Sequence, residues 1–178
     1  MRLPLVPALA LLSLVAPAAR AASAEEIDAR VRAAVVDLRQ TSSAARELGG
    51  RARGMLVFPR VFKGGLGIGG AFGEGALLID GATAAYYSVA SASIGFQLGV
   101  QRQSVVILFM TDESLERFRA GRGWKAGVDG SVVLASLGAG ETVDTDTAQK
   151  PIVGFVFANR GLMYDLALEG AKITRLKR

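Results

Sequence analysis

The chain has 178 residues, 51% of them hydrophobic, with 21 basic against 16 acidic side chains and neither His nor Cys. That length suits one domain with a sizeable core. Without imidazole or thiol, Ser-His and Cys-His nucleophiles, His metal ligands, disulfides and a lipidated cysteine are all excluded.

The N-terminal segment reads as a secretory signal peptide. Arg2 is a short basic region, Leu3 to Val15 is mostly apolar, and Ala16 to Ala24 is small and polar. The apolar run is short for a membrane span, and Pro4, Pro7 and Pro17 interrupt it. Small-x-small sites place cleavage after Ala21 or after Ala24. Residues 1–24 are therefore expected to be removed, leaving 25–178 as a single domain in the periplasm or outside the cell. Losing Arg2 and Arg20 leaves 19 basic against 16 acidic residues. That mild excess suits an anionic surface and does not demand a nucleic-acid partner.

Glu25 to Leu48 is expected to form one amphipathic helix, because Ile27, Val31, Ala34, Val35, Leu38, Ala45 and Leu48 recur at three- and four-residue steps. Ser23 and Glu26 have the spacing of a capping box, Glu25, Glu26 and Asp28 complement the helix dipole, and Gly49-Gly50 provides a stop. Such a helix either lies on a membrane surface or packs on a sheet. Its mixed charge, with Arg30, Arg32, Arg39 and Arg46 among the acids, favours the sheet.

From Met55 the period becomes two. Met55 to Phe58 is an apolar strand that Pro59 is expected to stop. Leu66, Ile68, Gly70 and Phe72 then alternate with Gly65, Gly67, Gly69, Ala71 and Gly73, and Leu77 to Ile79 continues the same strand. Asp80-Gly81 marks a hairpin turn, and Ala84 to Val89 returns. Ile94, Phe96, Leu98 and Val100 alternate with Gly95, Gln97, Gly99 and Gln101. Val105 to Met110 reads as a strand buried on both faces. Thr111 caps a short helix, Asp112 to Ala120, which Gly121 ends. Trp124 to Leu137 is strand-like with a break at Asp129-Gly130, Glu141 to Gln149 is a polar loop, and Ile152 to Ala158 is a strand. Asn159-Arg160-Gly161 reads as a turn, Leu162 to Leu168 as a returning strand, and Lys172 to Arg178 as a basic tail.

Gly65-x-Gly67-x-x-Gly70 has the lettering of a dinucleotide fingerprint, but no helix follows it, so phosphate-binding helix amides are lacking. Glycine at every second position instead describes a strand bare on one face, which lets backbone approach closely and a sheet bend sharply. The expected fold is α+β: a β-rich, strongly curved antiparallel sheet or half-open barrel, with an N-terminal amphipathic helix and one short internal helix.

The stretches from Gly54 to Leu78, from Tyr86 to Phe118 and from Gly161 to Ile173 together resemble the SYLF domain family, also called Ysc84-like. The resemblance rests on Phe-Pro-x-Val-x-Lys-Gly-Gly, Gly-x-Gln-x-Gly-x-Gln and a closing Leu-Glu-Gly, with Trp124 to Val133 between them. It spans about residues 30 to 175. It implies an exported, non-catalytic lipid-binding module, without cofactor or metal, for which an anionic phospholipid or phosphoinositide-like head group is the expected ligand. Some eukaryotic relatives bind actin, a role that the signal peptide speaks against. This chain departs from the family at Ser91-Ala92-Ser93, where Gly-Gly-Ser is usual, and at Ala158-Asn159-Arg160, where one basic residue fewer weakens anion binding.

The lipid-binding candidates are Arg60 and Lys63, carried over from the family motif, with the amides of Gly64 and Gly65 beside them. Two basic residues flanking a turn before free glycine N–H groups would hold a phosphate by charge and backbone donors. Arg102 and Lys125 are further basic candidates. Gln97 and Gln101 line a groove or face water, and Trp124 is a core or interfacial aromatic. Glu141, Asp144 and Asp146 lack the central Gly and final Glu of a calcium loop. Two other functions compete: a cell-envelope structural or protein-interaction domain, and a hydrolase using carboxylates such as Glu74 and Asp80, for which no motif exists.

Overall fold

A computed structural model describes residues 22–66, 68–94, 99–121, 123–125, 129, 132–136, 147, 149–161 and 170–178. Two helices, α1 (Ala24–Thr41) and α2 (Ser43–Arg51), precede strands β1 (Gly54–Leu66), β2 (Ile68–Ile79), β3 (Ala82–Ile94) and β4 (Gly99–Phe109). Helix α3 (Asp112–Ala120) follows, then β5 (Gly123–Lys125), β6 (Val133–Ser136), β7 (Ile152–Gly161) and β8 (Lys172–Leu176). The strands form one sheet in the order β5-β8-β3-β2-β1-β4-β7-β6. Every pairing is antiparallel except that of β6 with β7.

The expected α+β class and the curled half-barrel hold. Curling is visible in the packing. One buried cluster on the inner face joins Trp124 of β5, Ile173 of β8, Val89 of β3, Leu56 of β1 and Val156 of β7, with Leu115 and Phe118 of α3 inserted among them. The Phe118 ring lies 4.9 Å from Tyr87, 4.8 Å from Phe109 and 5.9 Å from Trp124, so it plugs the concave side. Trp124 is thus a core residue. The outer face carries α1 and α2, whose Ile27, Val31, Leu38 and Leu48 pack with Val57, Ala76, Val106, Leu108 and Phe155. The helix accordingly packs on the sheet. Strand period two sends alternate residues of β1 and β4 into the two clusters, so Val105 to Phe109 is buried throughout.

Local signals set several elements as expected. Ser23 accepts a hydrogen bond from the Glu26 amide at 3.2 Å, and the Glu26 carboxylate accepts from the Ser23 amide at 3.2 Å, completing the capping box. Asp80 (φ 51°) and Gly81 (φ 79°) make the left-handed turn between β2 and β3. Thr111 caps α3, and Gly121 ends it.

Six expectations are corrected. The single long helix is two helices. Ser42 is extended (φ −140°, ψ 124°), its amide closes α1 on the Leu38 carbonyl, and its hydroxyl caps α2 by accepting from Ala45 at 3.1 Å. The helix also runs through Gly49-Gly50 to Arg51, ending where Arg53 N–H donates to the Phe109 carbonyl at 2.8 Å. Pro59 does not stop β1, because it sits in a bulge where the register with both neighbours shifts, and its missing N–H is not required there. The glycine stripe is not one strand. β1 and β2 form a hairpin with Leu66 opposite Ile68, and an alternating pattern survives such a reversal unchanged. Finally, Asn159 to Gly161 continue β7 beside β4, and Lys172 to Leu176 form a strand between β5 and β3 instead of a loose tail. Residues 1–21 of the expected signal peptide, the alternation at 95–98, Gly130 of the expected break, residues 141–146 of the expected polar loop, and Leu162 to Leu168 lie outside the described residues.

Candidate functional site

The Pro59 bulge divides the outer face in two. The Ser104 hydroxyl donates to the Pro59 carbonyl at 3.0 Å, holding the bulge against β4. Opposite it, β2 carries glycine for a steric reason: a Cβ on Gly75 would lie 1.9 Å from the Val57 carbonyl oxygen, and one on Gly73 would lie 2.6 Å from that of Arg60. Close backbone approach is thus the role of these two glycines. Before the bulge, α1 and α2 cover the sheet. Beyond it, Phe62 is 51% exposed, Phe72 54% and Val100 74%.

Register turns these side chains into a pattern. Paired residues of an antiparallel ladder share a face. Reading straight across the sheet, Lys125 stands opposite Lys172, Lys172 opposite Ala90, Ala90 opposite Phe72, Phe72 opposite Phe62, and Phe62 opposite Arg102. The result is two exposed aromatic rings in the centre with cations on both flanks. A second outer row, Ala92, Gly70, Gly64 and Val100, adds only small or apolar residues. Along the edge of this area, Arg30 of α1, Arg60 and Arg102 line a groove of about 220 Å³ with Asp37. A neighbouring groove brings Arg30 and Arg60 to Phe62 and Phe72.

The sequence candidates are therefore distributed over two faces. Arg102 and Lys125 lie in the outer row, Arg60 is exposed beside it, and Gly64 is in the second row. Lys63 and Gly65 point by register to the inner face. Lys63 is 6% exposed, opposite Gln101, whose Nε2 donates to Gln103 Oε1 at 3.2 Å. Arg60 and Lys63 thus flank no turn and cannot grip one phosphate together. β1 is flanked by β2 and β4 at Gly64 and Gly65, so their amides face neighbouring strands and are not a free cradle. Gln101 is buried rather than groove-lining or water-facing. Glu74 and Asp80 are six strand positions apart, about 20 Å at 3.3 Å per residue, and form no acid pair. Among the described residues no cluster of three acidic side chains could hold a metal.

Phe62 and Phe72 were not singled out by sequence reasoning. Each lies five residues from Gly67, so a reversal there makes them cross-strand partners, and that symmetry is the signal that finds them. Lys172 stood in a presumed tail, and Arg30 among helix charges. Neither shows its place without the sheet order.

Elsewhere, burial pushes the Tyr86 phenol above its ordinary value, reinforced by the hydrogen bond to Asp28 and that carboxylate's charge, and opposed by Arg178. Tyr86 donates to Asp28 at 3.0 Å and Thr83 does so at 2.9 Å, fastening α1 to β3. Burial likewise raises Tyr87, against Arg175 and Arg119.

No curated protein matches the chain. The family model described as Ysc84, Las17-binding protein actin regulator, matches residues 90–178, half of the sequence, including Arg102, Lys125 and Lys172. The SYLF or Ysc84 family is of binding type, known for lipid- and actin-related binding. The chain belongs to this Ysc84 (SYLF) family.

Proposed function

We propose that this protein is an exported, non-catalytic module that docks on anionic phospholipid membranes through the uncovered half of its outer sheet face. The observation that carries this reading is the row in which exposed Phe72 and Phe62 stand between Lys125 and Lys172 on one side and Arg102 on the other. Aromatic rings enter the interfacial region of a bilayer, while flanking cations meet lipid phosphates.

The two contributions are of similar size. Each cation near an anionic leaflet is worth about 1 kcal/mol. Fully burying a Phe is worth about 1.5–3 kcal/mol, and an interfacial ring gains part of that. Binding of this kind is reversible, favours anionic lipid and weakens with salt without vanishing. The fit is to a surface and not to a single head group, since Arg60 and Lys63 do not converge.

Co-sedimentation of the mature protein with vesicles of phosphatidylcholine alone, and of phosphatidylcholine with phosphatidylglycerol, tests the reading. Preferential binding to the anionic vesicles, lost in Phe62→Ser with Phe72→Ser, supports it. Equal binding to both vesicles, or no effect of the double substitution, refutes it. Stoichiometric capture of one envelope protein, with no vesicle binding, would favour protein interaction instead.

A further inference from the structure

The two ends of the described chain meet on one side chain. The Ala22 backbone N–H donates to Glu74 Oε2 at 3.3 Å, and the Arg178 guanidinium donates to Glu74 Oε1 at 2.5 Å. The Glu74 and Arg178 side chains are only 16% and 17% exposed. Ala22 also packs against the cluster beneath α1. One residue on, Ser23 closes the capping box with Glu26.

We infer that the precursor is processed between Ala21 and Ala22, and that the new α-ammonium group of Ala22 docks on Glu74 as a latch joining the N-terminus, β2 and the C-terminus. The inference rests on the leader reading of the N-terminal segment, and not on the lipid reading. Hydrolysis of the Ala21–Ala22 peptide bond by a host leader peptidase consumes one water. It leaves a carboxylate on Ala21 and an ammonium on Ala22. The neutral amide that now donates to the Glu74 carboxylate becomes a cationic donor, so the hydrogen bond becomes an ion pair with a mostly buried carboxylate.

The alternative site, after Ala24, is disfavoured by the fold. Cutting there removes Ala22 and Ser23, and with them the Glu74 contact and the helix cap. It also places a positive terminus at Glu25, in the first turn of α1, where the helix dipole favours negative charge. Cleavage after Ala21 keeps both features and puts no charge inside the first turn of α1. Ala22 and Glu74 line the same groove as Phe62, Phe72, Arg30 and Arg60, so the new ammonium adds a cation at the rim of the exposed face.

The experiment is intact-mass and N-terminal analysis of the full precursor expressed in an exporting bacterial host. A chain of residues 22–178 is expected. A chain starting at Glu25 overturns the latch while leaving export standing; a chain retaining residues 1–21 overturns both. The contact itself is tested by acetylating the Ala22 amine, which removes its charge. The melting temperature should fall by about 2–4 °C, the shift that about 1 kcal/mol gives at this size. The same modification should have no effect in Glu74→Gln. An equal fall in both proteins, or none in either, refutes the latch. Vesicle binding is a separate readout on the same samples, so failure of the lipid reading is separately visible.

Discussion

On one side of Pro59, the outer-face residues Val57, Ala76, Val106 and Leu108 are 0% exposed under α1 and α2. On the other side, Phe62, Phe72 and Val100 on the same strands are 51%, 54% and 74% exposed. The strands, their period and their apolar character are shared, so hydrophobicity alone does not decide which half is covered. What differs is the bulge, which shifts the register, and the cover, since the helices pack before it. Beyond it the apolar residues are also flanked by Lys172, Lys125 and Arg102, whereas Val57, Ala76, Val106 and Leu108 have only apolar neighbours in their cluster and polar contacts to α1 lie at its margin. One half is built as core, and the other is the face proposed to meet lipid.

The largest way to break this division is at the bulge. Gly75→Val should cost about 3 kcal/mol or more, because overpacking here meets a backbone carbonyl and not a movable side chain. Urea unfolding reads it as a lower midpoint, and a midpoint near wild type would contradict the close approach. Next, Leu108→Ala in the covered half should cost about 2–5 kcal/mol by leaving a cavity, while vesicle affinity of the folded protein stays unchanged. Phe62→Ser with Phe72→Ser should do the reverse. Stability should change by about 1 kcal/mol or less, the size of a cross-strand pair, while affinity for anionic vesicles falls tenfold or more. Equal effects of the two changes on binding would erase the contrast between the halves.

Smaller again is Arg102→Glu or Lys172→Glu, each expected to weaken binding several-fold at 0.1 M salt and far less at 1 M. The screening length contracts from about 10 Å to about 3 Å over that range. The smallest effect sharpens the covered half. The raised Tyr86 phenol means that the folded state holds this proton more tightly than the unfolded chain. Its contribution is therefore full below pH 10, the ordinary tyrosine value, and is lost as pH rises above it. Tyr86→Phe should remove part of the stability decline above pH 10, and Tyr87, raised in the same direction, should contribute to what remains. An unchanged alkaline slope would show that Tyr86 does not hold α1 in this way.

The elements legible in the sequence are those written in adjacent residues. Ser23 with Glu26, Asp80 with Gly81, and Thr111 through Gly121 each carry their own hydrogen-bonding or dihedral requirement within a few positions. The apolar run at Val105 to Phe109 was legible because a central strand has no wet face. The missed features depend on partners distant in sequence. Pro59 is compatible with β1 only because both neighbouring strands shift around it. Lys172 to Leu176 become a strand only because β3 and β5 offer edges. The candidate site was half legible for the same reason. Basic residues could be found, but opposite faces for Arg60 and Lys63 follow from their odd spacing on β1, which runs on through Pro59 instead of turning there. The juxtaposition of Phe62 and Phe72 follows from a reversal that alternating glycines conceal.

The central claim concerns which surface meets the bilayer, and the absence of cysteine makes it directly measurable. A spin label on Ala90→Cys, in the row between Lys172 and Phe72, is compared with one on Val36→Cys, on the exposed side of α1. On anionic vesicles the account predicts that the label at position 90 reaches the interfacial region, shielded from a water-soluble relaxation agent, while the label at 36 stays in water. Shielding at 36 with free access at 90 would contradict it and make the helix the membrane contact.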